Sequence, residues 1–207
     1  SSASSSSTSV SLGAVCTTDY DKILYSTSSS TPTVSDGAWE SCASSKTFVV
    51  STGDGTKTIY AFSKDTAGNI SSASSVTMTL DTTPPNAPVA NLTSPAMSSS
   101  TTATFTISDC LDRPYVFVSE SMVAPAASDG GWISCSTTAS AIAYTMVGPV
   151  VQGAHALYIY AKDAVGNVSA STSANVTYDT TNPTLTLSTS LGLLYKGGDT
   201  VSLSFSA

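Results

Sequence analysis

The chain has 207 residues, 41% hydrophobic but only 10% charged, with a formal net charge of −7 at pH 7. An average soluble domain carries about 25% charge, and Ser and Thr supply most of the missing polarity. Six lysines and Arg113 argue against the clustered basic face of a nucleic-acid or anionic-membrane partner, and no apolar run approaches the roughly 20 residues of a spanning helix.

In chain order, residues 1–9 are a Ser-rich lead with nothing to bury, expected as a flexible entry. Val10 and Leu12 alternate with serines, the two-residue period of a half-buried strand ending near Cys16. Lys22-Ile23-Leu24-Tyr25 is apolar on both faces, as a central strand would be. A looser segment with Pro32 leads to Asp36-Gly37-Ala38-Trp39-Glu40-Ser41-Cys42. There Asp-Gly signals a tight turn, and Trp39 is expected to lie against a disulfide. Phe48-Val49-Val50 makes the next strand, a turn follows at Asp54-Gly55, and the strand through Tyr60 runs into Asp65-Thr66-Ala67-Gly68-Asn69. Asp at the first and Gly at the fourth turn position form a type I pattern that closes a hairpin, with a return strand ending at Leu80. The prolines of Asp81-Thr82-Thr83-Pro84-Pro85 then stiffen a short linker.

The same order returns. Residues 35–42 recur without a gap as Ser128-Asp129-Gly130-Gly131-Trp132-Ile133-Ser134-Cys135, an offset of 93 from Asp36 to Asp129, and residues 60–71 recur as 158–169, an offset of 98 from Asp65 to Asp163. A repeat of this period is a whole small domain rather than a solenoid unit. Strands are expected again at 102–108, at Tyr115-Val116-Phe117-Val118, at 142–147 and through Tyr158 to a return strand ending at Tyr178, before a second linker at Asp179-Thr180-Thr181-Asn182-Pro183. Beyond Pro183 only a beginning recurs, Thr184-Leu185-Thr186-Leu187 and Val201-Ser202-Leu203-Ser204-Phe205. Two strands cannot enclose a core, and their open edges could join a neighbouring molecule. The expected division is a lead at 1–9, a first sandwich at 10–83, a second at 84–181 and the start of a third at 182–207.

About seven short alternating strands per repeat, regular turn signals and no helical periodicity indicate an all-β chain of two-sheet antiparallel sandwiches. The order of elements, the Lys-Asp-x-x-Gly-Asn-x-Ser hairpins at Lys64 and Lys162 and the Asp-Thr-Thr-x-Pro linkers resemble the tandem immunoglobulin-like repeats of large bacterial surface proteins and adhesins, over about residues 10–183. The resemblance implies immunoglobulin-like sandwiches on a bacterial cell surface. It departs from antibody-type domains, whose Trp lies on a different strand from either cysteine. Here Trp39 and Trp132 sit beside the second cysteine, so antigen-receptor-like recognition is not implied.

Four cysteines allow three connectivities, and the repeat selects Cys16–Cys42 and Cys110–Cys135. No closely spaced ligand pair suggests zinc. Closing each loop of about 26 residues stabilises by roughly 3 kcal/mol in the chain-entropy model, and paired cysteines imply an oxidising location, the periplasm, the cell surface or outside, of which an extracellular or cell-surface place is expected.

Candidate sites are few. His155 is the sole histidine, and no catalytic elbow, phosphate loop or metalloprotease motif occurs, so neither an enzyme nor a cofactor is expected. Asp65, Asp81, Asp163 and Asp179 could suggest junctional calcium, loosely as in cadherin repeats. Thr stands where further carboxylates would be needed, so turn capping is the favoured role and no metal is expected. Lys64 and Lys162 recur where some bacterial pilus domains form Lys–Asn crosslinks, but each flanks a turn and is expected to reach solvent. Asn69, Asn91, Asn167 and Asn175 begin Asn-x-Ser/Thr sequons that Ser- and Thr-rich strands generate by chance.

If Ile59, Ala61, Leu157, Ile159 and Ala161 face the core, alternation puts Tyr60, Phe62, Tyr158 and Tyr160 on the outer face, with Tyr115 and Phe117 beside them. Such a row could stack on sugars, or serve ordinary cross-strand pairing and domain contact. The expected function is a non-enzymatic, disulfide-stapled stalk or fibre spacer whose partners are neighbouring copies or domains of the same surface protein. The alternative is a module binding a glycan or a host or prey cell surface through those aromatics.

Overall fold

A computed structural model describes residues 3–108, 110–135, 139–185 and 197. Every named element among them is a strand. The N-terminal half holds β1 (Ala3–Ser5), β2 (Ser9–Gly13), β3 (Lys22–Ser26), β4 (Glu40–Ser41), β5 (Ser45–Val49), β6 (Gly55–Lys64) and β7 (Ser74–Leu80). A five-stranded sheet runs β1-β7-β6-β3-β4, and β2 pairs with β5 as a second, two-stranded sheet. The C-terminal half holds β8 (Val89–Leu92), β9 (Met97–Ser98), β10 (Thr102–Ser108), β11 (Tyr115–Ser119), β12 (Ile133–Ser134), β13 (Ala139–Thr145), β14 (Gly153–Lys162) and β15 (Thr172–Tyr178). Its five-stranded sheet, β12-β11-β14-β15-β9, has the order of the first, but its second sheet has three strands, β13-β10-β8.

Each half is a β-sandwich because alternate residues of both sheets turn inward on one core. In the C-terminal half, Phe105 and Ile107 of β10, Val116 and Val118 of β11, Leu157 and Ile159 of β14 and Val176 of β15 are buried together. The N-terminal core is smaller, with Val50, Ile59, Met78 and Leu80 buried and Val10, Leu12, Tyr25 and Phe48 only partly so.

Two expectations need correction. The Ser-rich lead is not simply an entry, since β1 pairs with β7 from Ala3↔Met78 to Ser5↔Leu80. Backbone ladders need no apolar side chains, so composition concealed it. Both β1–β7 and β9–β15 are parallel, so neither five-stranded sheet is wholly antiparallel. The chain reaches this arrangement by running one short strand along the last strand of a sheet and then crossing to the opposite sheet as β2 or β10. The strands expected in 184–187 and 201–205 lie largely outside the described residues.

Candidate functional site

The outer face of each five-stranded sheet was the place to look for a binding row. Rungs run Lys64↔Lys22, Phe62↔Leu24 and Tyr60↔Ser26 in one half, and Lys162↔Tyr115, Tyr160↔Phe117 and Tyr158↔Ser119 in the other. The middle rung is covered in both. Phe62 is 1% exposed and Tyr160 3%, and the Tyr160 hydroxyl donates to the Met122 carbonyl at 2.6 Å. The loop after β11 therefore lies over the row that alternation placed outside. Tyr60, Tyr158 and Phe117 are half-buried and Tyr115 is 37% exposed, so no continuous exposed aromatic row forms.

A tie that recurs in both halves occupies this face. Lys64 Nζ lies 4.8 Å above the Trp39 ring and donates to the Val34 carbonyl at 2.8 Å. Lys162 Nζ lies 4.6 Å above Trp132 and 4.9 Å above Tyr115, and donates to the Ala127 carbonyl at 2.7 Å. Each indole N–H closes the same loop, Trp39 onto the Thr33 carbonyl and Trp132 onto that of Ala126. The lysines expected in solvent are thus half-buried, each with its ammonium over a Trp ring. An ammonium over an indole contributes about 0.5–1 kcal/mol where solvent has access. Phe117 also meets Trp132 edge-on at 5.4 Å. Residue 131 must be small there, because a Cβ on Gly131 would fall 2.6 Å from the Phe117 ring.

The four aspartates cap turns. Asp65 accepts from the backbone and side chain of Asn69, which holds its carboxyl below the ordinary carboxylate value. Asp163 accepts from the N–H groups of Val165, Gly166 and Asn167 and from the Asn167 amide, and Gly68 and Gly166 supply the positive φ at the corner of each turn. Asp81 and Asp179 accept from the backbone of Thr83 and Thr181. Among the described residues no three His, Cys, Asp or Glu side chains group as metal ligands. His155 is bonded to the Val151 carbonyl at 2.7 Å and faces Glu120 at 3.8 Å.

Disulfides join Cys16 to Cys42 and Cys110 to Cys135, with Cα–Cα separations of 5.8 and 5.5 Å. The first has its Cys16 end exposed, whereas Cys110 is buried in the C-terminal core.

The junction between halves is the other organised region. Asp54 accepts from Thr82 N and Oγ1 at 2.7 and 2.8 Å and from the Thr83 hydroxyl. The Thr83 bond, then those of Thr82, lowers its pKa. Gln152 holds the second linker likewise, accepting from Thr180 and donating to Asp179 and Thr181. From the far side Asn167 Nδ2 donates to the Asp81 carbonyl at 2.9 Å, and Ser6 Oγ of the N-terminal half donates across to the Val165 carbonyl at 3.1 Å. Arg113, the sole arginine, is buried with Nη1 on the Asn86 and Ala87 carbonyls. An open cleft of about 510 Å³ remains beside the linker, lined by Asp81, Pro84, Pro85, Leu111, Asp112 and Ala164 among others. Sequence reasoning missed this junction, although Asp54 and Gln152 occupy matching places before β6 and β14.

No family model matches the chain, and no curated protein sequence matches it. Among solved structures it is similar to the fibronectin(III)-like modules of Clostridium thermocellum CbhA, with 13% identity over 84% of this chain and 87% of that one and a TM-score of 0.45. It is also similar to SGBP-B of the Bacteroides ovatus mixed-linkage glucan utilization locus, solved with a mixed-linkage heptasaccharide, with 14% identity and a TM-score of 0.28. The match takes in 85% of this chain but 42% of that protein.

Proposed function

We propose that the chain is a non-enzymatic spacer from a secreted or cell-surface protein, two disulfide-stapled sandwiches held in line by a bonded linker. The observation that carries this reading is the junction. Asp54 grips Thr82 and Thr83 from one half while Asn167 of the other takes the Asp81 carbonyl. A linker fixed from both sides, with Pro84 and Pro85 removing two backbone donors, transmits orientation, which is what a stalk needs. The paired cysteines support an oxidising compartment. The groups that could have bound a ligand are turned inward: the middle aromatic rung lies under a loop, and the repeated lysines cap tryptophans. A glycan-binding role would have to use Tyr60, Tyr115, Phe117 and Tyr158, the members of the row that keep some exposure.

A glycan-array screen of the wild type beside Tyr60→Ala/Tyr158→Ala tests the reading. No saccharide signal in either protein is expected. A wild-type signal that the double variant loses would replace the spacer with a binding module.

A further inference from the structure

The loop that joins β13 to β14 is tied down at both ends by one pair of side chains. Glu120 Oε1 accepts from the Val147 N–H at 3.1 Å and from the Tyr144 hydroxyl at 3.3 Å. His155, the sole histidine, takes the other end, with Nε2 2.7 Å from the Val151 carbonyl and Nδ1 3.8 Å from Glu120 Oε2. A carbonyl only accepts, so Nε2 carries a proton. In the neutral ring Nδ1 is then a bare lone pair turned toward a carboxylate, and only a second proton makes that approach attractive. Both ring nitrogens face oxygen acceptors, the arrangement that suits an imidazolium. Water is partly excluded, since the His155 side chain is 17% exposed and that of Glu120 34%.

The groups around the ring are few. Tyr144 of β13 and Tyr178 of β15 pack against the core here, and Val176 stands opposite His155 across β14 and β15. Burial, and after it the Glu120 carboxylate, pushes the Tyr144 phenol up, so it remains a donor. Asp179, beyond Tyr178, has its carboxylate on Gln152 Nε2.

The first half shows a different cation at this place. At the offset of 98 that relates Asp65 to Asp163, Lys57 stands where His155 stands and Asp54 where Gln152 stands. At the offset of 93, Thr27 replaces Glu120, and Thr27 and Lys57 line one hollow as Glu120 and His155 face each other. Lys57 Nζ donates to the Thr52 carbonyl and Ser51 Oγ, each at 3.4 Å, on the loop whose Asp54 grips the first linker. Lysine is a cation throughout the neutral range, whereas histidine is the side chain that ordinarily changes charge between about pH 5 and 8.

We propose that His155 is a proton-operated latch: the imidazolium closes the β13–β14 loop on Glu120 and thereby steadies Gln152, next after Val151, on Asp179, Thr180 and Thr181 of the second linker. Loss of the proton leaves Nδ1 bare against the carboxylate, and the Val151 end of the loop loosens. The hold is present where the imidazole is charged and is lost as pH rises. The second linker is therefore gripped more firmly in mildly acidic surroundings than in mildly basic ones, while the first is gripped alike in both. This inference goes beyond the spacer reading and needs only the geometry of the C-terminal half.

An NMR titration of the full chain from about pH 5.5 to 8 tests it, following the His155 ring resonances together with the amides of Val147, Thr180 and Thr82. Protection factors of Val147 and Thr180, each taken against its intrinsic exchange rate, should fall by about two- to fivefold as the ring loses its proton, the range of a partly exposed ion pair. Thr82 should stay level. Glu120→Gln, whose amide can face the bare Nδ1, should lose the fall, and His155→Lys, which copies the first half, should flatten it. Circular dichroism checks that both variants fold, and the wild-type titration decides the matter without them. Protection at Val147 and Thr180 that stays level while His155 titrates, or a fall that persists in either folded variant, would overturn the proposal.

Discussion

The two halves share their turns, their Lys–Trp ties, their linker grips and the order of their five-stranded sheets, yet they differ in how well their cores close. In the C-terminal half Phe105 and Ile159 are completely buried, with β8 in place. In the N-terminal half the matching residues are Leu12 and Ala61, both only partly buried, and among the described residues β2 pairs with β5 alone. The difference teaches that the repeated motifs build corners and staples, whereas closure of each core depends on the side chains set between them, Phe105 and Ile159 in one half against Leu12 and Ala61 in the other.

The largest expected effect tests that difference. Phe105→Ala should destabilise the C-terminal half by about 3–5 kcal/mol, as buried aromatic truncations do, while Leu12→Ala should cost the N-terminal half less than half as much. The halves should melt as separate transitions, so denaturant unfolding followed by Trp39 or Trp132 alone reads each. Equal losses would break the comparison.

Next come the disulfides. Cys16→Ser/Cys42→Ser and Cys110→Ser/Cys135→Ser each remove roughly 3 kcal/mol of loop-closure stabilisation. The N-terminal half, with less core to fall back on, should lose its folded signal at a lower temperature. With the native protein, limited reductant should open Cys16–Cys42 first, because access governs exchange and Cys110 is buried. Mass mapping of alkylated cysteines would show the order, and the reverse order would count against the burial argument.

A smaller effect sharpens the tie on the outer face. Ala38 with Leu24 in one half corresponds to Gly131 with Phe117 in the other. Gly131→Ala should cost about 1–3 kcal/mol by overpacking, since its Cβ would lie 2.6 Å from the Phe117 ring. In a Phe117→Leu background the same substitution should be nearly neutral. Thermal melts of the four proteins decide it, and an unrescued loss would mean that the ring is not the cause.

What was visible in sequence follows the same division. The Asp-x-x-Gly-Asn corners, the cysteine partners and the strand carrying Tyr60 or Tyr158 depend on local chemistry repeated at a fixed offset. The burial of Phe62 and Tyr160 was not visible, because alternation assigns a face but says nothing of a loop folded over it. Lys64 and Lys162 looked solvated since an ammonium above an indole is a tertiary arrangement between residues about 25–30 apart in sequence. The strand β8 was not visible either, since Val89–Leu92 is only four residues long and carries no repeated motif.

The smallest effect compares the two linkers. The Asp54 carboxyl, held below its ordinary range by Thr83 and Thr82, binds its proton less readily when folded. Its contribution is therefore present above about pH 4 and lost as pH falls through the lowered value. Gln152 does not titrate. Acidification should lower the hydrogen-exchange protection factor of Thr82 N–H, measured against its intrinsic rate at each pH, more than that of Thr180 N–H, and Asp54→Asn should remove that difference. Identical acid responses at both amides would set the asymmetry aside.

The most direct test of the spacer account is the distance distribution between spin labels on Ser29→Cys in one half and Val147→Cys in the other, both at exposed positions, measured by double electron–electron resonance. A linker gripped by Asp54 and Asn167 should give one narrow distribution that broadens in Asp54→Ala/Asn167→Ala. A wild-type distribution already as broad as the variant's would contradict it.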